Sequence, residues 1–437
     1  MRYRSWGGMG GINQTAIPLF WTQDPFPDVG KRSALPFGNG RSYGDSCLNE
    51  GGVLLDTRGL SRFLFFDPSS GILALESGVL LSEVLFLSVP LGWFLPVTPG
   101  TRFVTVGGAI ANDVHGKNHH RDGTFGCHVR KLCLLRSDGS KLICSQNENQ
   151  DIFSATIGGL GLTGVILWAE IALKRIKNPL IRSETIRFDN LTEFFRLSDE
   201  SDLDYEYTVS WIDCLGRGKN LGRGLFMRGN HATVFDHSRS STTVRKNTAI
   251  PFTPPFSLVN TLTLRCFNTL YYWKNRKRHM TKIGHYEPFF YPLDGLLHWN
   301  RLYGRKGFFQ YQCVVPKNER EGAVREILQQ ISQSGEGSFL AVLKAFGDLP
   351  SPGLLSFSRP GVTLALDFPN REKKTLELLD CLDGIVAEAG GAVYPAKDAR
   401  MTGERFRQFF PRWNEFLRYK DPAFSSEFWR RVMKGIE

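Results

Sequence analysis

Two glycine-rich stretches, about sixty residues apart, constrain this chain more than any other feature. The first reads Gly38-Asn-Gly-Arg-Ser-Tyr-Gly-Asp45. The second reads Pro99-Gly-Thr-Arg-Phe-Val-Thr-Val-Gly-Gly-Ala-Ile-Ala-Asn-Asp-Val-His-Gly-Lys-Asn-His-His120. Glycines at 38, 40 and 44 permit a tight loop whose backbone N–H groups converge on an anion such as a pyrophosphate. Gly107 and Gly108 would let a second loop approach a flat ring. Either loop alone reads as a plain turn. Together, in this order, they read as two halves of one binding site.

Around the loops, segments 52–56, 73–76 and 132–136 are apolar runs of strand length, and 165–173 is a longer one. Ser82 is placed to cap a helix over 83–89 that Pro90 ends, and 151–157 reads as one or two helical turns. No barrel or solenoid period shows. Beyond Pro179, segments 205–211, 308–315 and 362–368 are strand-like, while 319–333 and 373–389 space their apolar residues as helices do. That order predicts an antiparallel sheet with helices on one face, and so an α+β chain of two domains. The expected division is 1–178, then 179–389, then a helical return to the first domain over 390–437.

Apolar residues make up 41% of the chain, with 33 Phe among 437 residues, which excludes disordered, collagen-like and coiled-coil classes. No apolar core follows the N-terminal arginines, so no secretory signal is expected. The charge-free stretch 84–101 contains Pro90, Pro96 and Pro99, which argues against a membrane span. The eight cysteines are scattered without a C-x-x-C pair, which favours reduced thiols in a cytosolic setting over a disulfide framework or structural zinc.

The net charge is +11, and the basic residues are unevenly placed. Segment 238–284 holds nine Lys/Arg and no Asp/Glu, interleaved with Phe252, Phe256, Phe267, Tyr271, Tyr272 and Trp273. One reading is a solvated insertion. The other is a surface that sits on anionic lipid, where each basic residue contributes about 1 kcal/mol. A nucleic-acid partner is not expected, because no nucleic-acid module accompanies the charge.

Two tempting motifs fail on context. Gly159, Gly161 and Gly164 satisfy G-x-G-x-x-G, but a helix-like segment precedes them and a strand follows, the reverse of a dinucleotide fingerprint. His115, His119 and His120 with Asp113 resemble a metal set. Gly116 and Asn118 argue against the helix that would bring His115 and His119 together, so no metal is expected.

The two loops resemble the flavin-binding half of vanillyl-alcohol-oxidase-type FAD enzymes. The likeness extends through Gly158-Gly-Leu-Gly-Leu-Thr-Gly164, Trp211, Tyr291-Pro-Leu-Asp294, Gln310-Tyr-Gln312, Lys344-Ala-Phe346, Asp367-Phe-Pro369 and Tyr394-Pro-Ala-Lys-Asp-Ala-Arg400. These match the branch that oxidises a polyprenyl-phosphate-linked pentose. The resemblance implies a two-domain fold and FAD contacts from Gly38, Asn39, Gly40, Arg41, Ser42, Tyr43, Gly44, Gly100, Thr105, Val106, Gly107, Gly108, Asn112, His115, Ile166 and Tyr394. It implies a substrate cavity lined by Lys117, Trp211, Tyr291, Gln310, Gln312, Lys344, Phe346, Thr363, Ala365 and Asp367. Gln310 and Gln312, two apart on a strand, share a face, which agrees independently.

Lys397 and His115 are the expected catalytic residues. On its own, Lys397 reads as a surface lysine paired with Asp398; in the family it faces the flavin. There it either stabilises the negative charge that builds on the flavin or accepts the substrate hydroxyl proton. The implied activity is oxidation of a secondary hydroxyl of a polyprenylphosphoryl pentose to a ketone, the first half of an epimerisation supplying arabinose to a cell wall or surface glycan. The implied partner is an NAD(P)H-dependent keto-sugar reductase, and the acceptor a quinone or oxygen. The expected location is cytoplasmic, peripheral on the inner face of the cell membrane. Thr363 and Ala365 stand where that branch carries Asn and Cys, and the N-terminal segment is shorter. Arg41 stands where relatives with covalent flavin carry His, so non-covalent FAD is expected. The alternatives are a soluble-sugar, alditol or aldonolactone oxidase of the same fold, and a flavin-free binding subunit of a glycan-assembly complex.

Overall fold

The structure, a computed structural model, describes residues 3–9, 14–233, 248–274 and 277–435. The part of the basic segment at 238–247 and 275–276 lies outside the described residues.

Among the described residues the N-terminal half contains two larger sheets and a two-stranded pair, Trp93–Phe94 with Lys174–Arg175. Val53–Asp56 lies between Thr15–Pro18 and Ala34–Phe37 in a three-stranded parallel sheet. All four of its residues are buried, as a strand covered on both faces requires. The sequence pattern did not disclose this parallel arrangement, because a short apolar run carries no direction. The second sheet is antiparallel, in the order Phe63–Asp67, Ile72–Glu76, Val165–Ala172, Val129–Leu135, Lys141–Ser145.

The expected helix after residue 82 exists with a different cap. It spans Leu81–Ser88, and the Glu83 carboxylate accepts the Leu80 N–H at 2.7 Å. Ser82 lies inside the first turn, its own N–H given to the Arg102 carbonyl. Pro90 follows within the 3-10 turn Val89–Leu91. Gln150–Thr156 is helical and Val165–Ala172 is a strand, so the glycines between them join a helix to a strand as expected.

The second half is built on an eight-stranded sheet whose pairings are all antiparallel. Its central strands include Tyr207–Ile212, Val342–Phe346, Gly361–Pro369 and Phe308–Pro316. Helices Leu191–Ser201, Arg320–Ser334 and Lys373–Glu388 share one apolar cluster with Tyr311, Cys313 and Val315 of the sheet. The alternate residues Gln310 and Gln312 point the other way, toward a cavity. The α+β class expected from the sequence is therefore observed.

Past residue 390 the chain is only partly helical, in Gly403–Phe409, Trp413–Phe416 and Glu427–Met433. Phe406, Phe409, Phe428 and Trp429 are buried there. Each such side chain contributes about 1.5–3 kcal/mol by leaving water, so this short segment is firmly seated.

Candidate active site

The two glycine loops lie side by side because neither carries side chains where they meet other segments. A Cβ at Gly38 would stand 2.4 Å from Thr105 Oγ1, one at Gly44 only 1.5 Å from the Asp398 carbonyl oxygen, and one at Gly107 2.8 Å from Ser77 Cβ. These glycines serve contacts between protein segments; the space beside Gly107 belongs to Ser77 rather than to a ring. Gly100 does face open space. Asn39 Nδ2 donates to the Phe103 carbonyl at 2.7 Å, tying the first loop to the second. Thr105 caps the helix Val106–Ala111, its hydroxyl accepting the Gly108 N–H at 3.1 Å.

The loops wall one end of a cavity of about 710 Å³. Gly38, Asn39, Gly40, Arg41, Ser42, Tyr43, Gly100, Thr105, Gly107, Gly108, Asn112, Ile166 and Tyr394 line it. So do His115, Lys117, Trp211, Gln310, Gln312, Lys344, Ala365, Asp367 and Lys397. Other expected residues stand behind the wall. Gly44 packs on Asp398, and Val106 is buried in the core. The Tyr291 hydroxyl meets that of Thr98 at 2.7 Å. Phe346 stacks on His119 at 4.0 Å and lies edge-on to His115 at 4.9 Å. The Thr363 hydroxyl donates to the Cys313 carbonyl at 2.8 Å and accepts from Gln312 Nε2 at 3.2 Å.

Sheet register explains the polar cluster. Gln310 is directly opposite Asp367, and Gln312 opposite Ala365. Gln310 Nε2 donates to Asp367 Oδ1 at 2.6 Å, while Asp367 Oδ2 is buried without a hydrogen-bond partner among the described residues. Burial raises the Asp367 carboxyl to about 7. Gln312 Nε2 lies 2.9 Å from His115 Nε2. An amide donating there leaves the imidazole proton on Nδ1, toward Ser358 Oγ at 3.4 Å. Burial first, then Lys344, hold His115 well below its ordinary value, so the ring is neutral at pH 7. Its loop is anchored by Asp113, at φ +41°, whose carboxylate accepts Ser351 and Ser356 hydroxyls at 2.5 Å each and the Gly126 N–H at 2.9 Å.

Three lysines enter the cavity with little compensation. Lys117 donates to the Phe289 carbonyl, Lys344 Nζ to the Gly116 carbonyl at 2.7 Å, and Lys397 Nζ sits 3.8 Å above the Tyr43 ring. Burial brings each ammonium down to about 7; for Lys397 the Asp367 carboxylate works in the opposite direction. Lys397 is not Asp398's partner. Asp398 pairs with Arg431 at 2.9 Å, and Arg431 also holds Asp45 of the first glycine loop at 2.8 Å. One arginine thus fastens the lysine loop to the glycine loop.

Sequence reasoning missed several lining residues, among them Trp6, Thr98, His298 and Asn39's neighbour Phe103. Trp6 lies under the Arg41 guanidinium at 4.3 Å, a contact between distant segments with no local signal. Phe267, Tyr271 and Lys274 also line the cavity; the basic-aromatic composition of their segment was the signal that marked them.

His119 and His120 serve the fold. His119 Nδ1 accepts the Gly347 N–H at 3.3 Å, and His120 Nε2 meets the Tyr205 carbonyl at 2.8 Å.

The cavity suits a large polar ligand carrying negative charge. Five basic side chains (Arg41, Lys117, Lys274, Lys344, Lys397) line it against two acidic ones, Asp294 and Asp367. Arg41 Nε, Ser46 Oγ, Ser77 Oγ and Asp367 Oδ2 are buried there without hydrogen-bond partners among the described residues. These residues fit FAD, which combines a pyrophosphate with a flat polar ring. Residues 30–145, which include both glycine loops, match the family described as FAD binding domain. Cavity and match together define an FAD-dependent oxidoreductase.

The chain is 35% identical to the decaprenylphosphoryl-beta-D-ribose oxidase of Mycolicibacterium smegmatis, over 97% of this chain and 96% of that one. It therefore belongs to the family of that oxidase. It is also 32% identical to an uncharacterized protein of Streptomyces coelicolor, over 81% of this chain and 100% of the relative. Over 29% of its length it is 32% identical to the delta(24)-sterol reductase of Homo sapiens, covering 25% of that protein.

Proposed function

We propose that the cavity is a vanillyl-alcohol-oxidase-type site that oxidises a secondary hydroxyl of a polyprenylphosphoryl pentose to the keto sugar, as the first half of an epimerisation. The observation that carries this reading is the convergence of Lys397, Asp367, Gln310, Gln312 and His115 on one stretch of a cavity whose end is walled by the glycine loops. The name of the Mycolicibacterium relative supports a decaprenylphosphoryl-ribose-like substrate.

FAD, when bound, supplies the hydride acceptor. Residues 38–43, Gly100, Thr105, Gly107, Gly108, Asn112, Ile166 and Tyr394 hold it, and Gly44 and Val106 support them from behind. The cofactor is non-covalent, because the Arg41 guanidinium is no nucleophile at neutral pH. Lys397 takes the proton of the substrate hydroxyl. With its ammonium lowered to about 7, a large fraction is the free amine at physiological pH. His115 is neutral and engaged by Gln312, which suits it to orient the hydroxyl rather than to carry a positive charge. Lys117 and Lys344 face the substrate's phosphate side, and Trp211, Ala365 and Gln310 shape the sugar pocket. Tyr291, Phe346 and Thr363 act from behind, through Thr98, His115 and Gln312.

An NAD(P)H-dependent reductase completes the epimerisation, supplying arabinose to a cell wall or surface glycan, and a quinone or oxygen takes up the electrons. The chain works at the inner face of the membrane; among the described residues no helix is long and apolar enough to cross one. Its parts divide at 178 and 389.

An anaerobic absorbance spectrum of the purified protein, before and after adding a polyprenylphosphoryl pentose, tests this. Bleaching of the flavin band is the expected result. A yellow protein bleached only by water-soluble polyols would replace the substrate, and one that cannot be loaded with FAD would end the enzyme reading.

A further inference from the structure

A single line of hydrogen bonds runs from the sheet to the cavity: the Cys313 carbonyl, the Thr363 hydroxyl, the Gln312 amide, the His115 imidazole and the Ser358 hydroxyl. Sheet register sets its order. Thr363 lies opposite Val314 and Ala365 opposite Gln312, so Thr363 stands diagonally across from Gln312 on the neighbouring strand. Both Thr363 and Gln312 are buried, so their polar atoms must be matched donor to acceptor within the protein.

Most members of the line are indifferent to its direction. The Gln312 amide has a donor end and an acceptor end, neutral His115 has one nitrogen of each kind, and a hydroxyl gives or takes a proton. Two arrangements are therefore self-consistent. In one, Gln312 Nε2 donates to His115 Nε2, and the ring proton on Nδ1 points to Ser358 Oγ. In the other the amide is turned over, Oε1 accepts from His115 Nε2, and Ser358 donates to Nδ1. Geometry alone does not separate two such arrangements; the balance of donors and acceptors does.

Only the Cys313 carbonyl is one-sided, because it accepts and never donates. Thr363 gives its one hydroxyl proton to that carbonyl at 2.8 Å, which leaves only lone pairs for Gln312. The amide must then present Nε2, which lies 3.2 Å from Thr363 Oγ1 and 2.9 Å from His115 Nε2. The ring makes no other hydrogen bond among the described residues than those to Gln312 and Ser358. Phe346, Phe357 and Tyr394 pack round it at centroid distances of 4.9, 5.8 and 5.5 Å, and the Tyr394 hydroxyl is given to the Asn112 carbonyl at 2.7 Å.

We propose that Thr363 is a positioning residue that fixes the sense of this line, holding His115 in its Nδ1–H form and leaving Gln312 Oε1 as the amide atom offered to the cavity. The site then meets a substrate hydroxyl with an acceptor. That consequence rests on the substrate reading above; the sense of the line does not.

NMR of the FAD-loaded chain, labelled at the histidine ring nitrogens and without substrate, tests it, since ring couplings separate Nδ1–H from Nε2–H imidazoles. The His115 signals are those missing from His115→Gln. One hydrogen bond biases such a balance by about five- to tenfold, so the parent should show the Nδ1–H form in at least about that excess. Thr363→Val keeps the shape and removes the hydroxyl, and should bring the two forms to about one to one. Thr363→Asn, which offers Gln312 a donor as well as an acceptor, should also show both. Thr363→Ser should restore the parent spectrum. Should the valine variant fail to hold FAD, the contrast between serine and asparagine carries the test.

A parent ring in the Nε2–H form would overturn the proposal. So would valine and asparagine variants with the parent spectrum, or a serine variant that shows both forms. A flavin that no polyprenylphosphoryl pentose bleaches would refute the substrate reading and leave the tautomer result standing.

Discussion

Replacing Lys397 by methionine removes the amine while keeping an unbranched side chain over the Tyr43 ring, which Nζ approaches at 3.8 Å in the parent. No hydrogen bond from Lys397 Nζ to the protein is lost among the described residues, so the fold and FAD content should survive. Loss of a positioned general base costs about 10²–10⁴ in turnover, or about 2.7–5.5 kcal/mol of barrier. The pH profile carries the sharper test. A base that titrates at about 7 is protonated, and so unable to accept a proton, at lower pH. For the parent, kcat/KM should fall about tenfold per pH unit below 7 and level off above it. Single-turnover reduction followed by stopped-flow absorbance across pH 5.5–8.5 (~1.5 units on either side of the titration) reads both. Methionine should lower the plateau and abolish the acidic limb. A variant within tenfold of the parent, or a parent profile that is flat across the range, would refute Lys397 as the base.

Asp367→Asn keeps an acceptor for Gln310 Nε2 and removes the carboxylate that favours the charged form of Lys397. The acidic limb should then move down by about one pH unit, as read from the same profiles. Gly44→Ala drives a methyl group into the Asp398 carbonyl, whereas Gly100→Ala meets open space. Thermal unfolding should show a loss of about 3 kcal/mol or more for the first and little change for the second. The stability of cofactor-free protein should depend on pH through Lys117, Lys344 and Lys397, each lowered from 10.5 to about 7. Between those values the unfolded chain binds more protons, so stability is lost as pH falls from about 10 to about 7. The slope is up to about 1.4 kcal/mol per unit per lysine. Tm measured from pH 7.5 to 9.5 (~2 units inside that window) should rise, and a falling Tm would contradict the buried-amine geometry.

The legible parts of this molecule are those where local chemistry has one meaning. Glycines 38, 40, 44, 107 and 108 marked the loops because few conformations or contacts admit a side chain there. Gln310 and Gln312 declared their common face through the two-residue period of a strand. The parallel pairing of Val53–Asp56 was invisible because an apolar tetrapeptide carries no information about its neighbours. Ser82 misled as a cap because Glu83 reaches back to the Leu80 N–H and starts the helix earlier. Tyr291 and Thr363 were expected at the cavity wall, yet their hydroxyls meet Thr98 and Cys313 instead. Which of two adjacent layers a side chain occupies is decided by tertiary packing. Trp6 was missed for the same reason, since its partner Arg41 comes from another segment.

The ion pairs of Arg431 have a consequence in time. Asp45 leaves the ribosome early, Asp398 far later, and Arg431 after both, yet that arginine clamps the two carboxylates together at 2.8 and 2.9 Å. The first glycine loop is therefore synthesised long before the residue that locks it to Lys397. A nascent chain that has not yet released Arg431 has both halves of its site and no clasp between them. The two loops are thus joined only once Arg431 has been made, well after both of the carboxylates it holds.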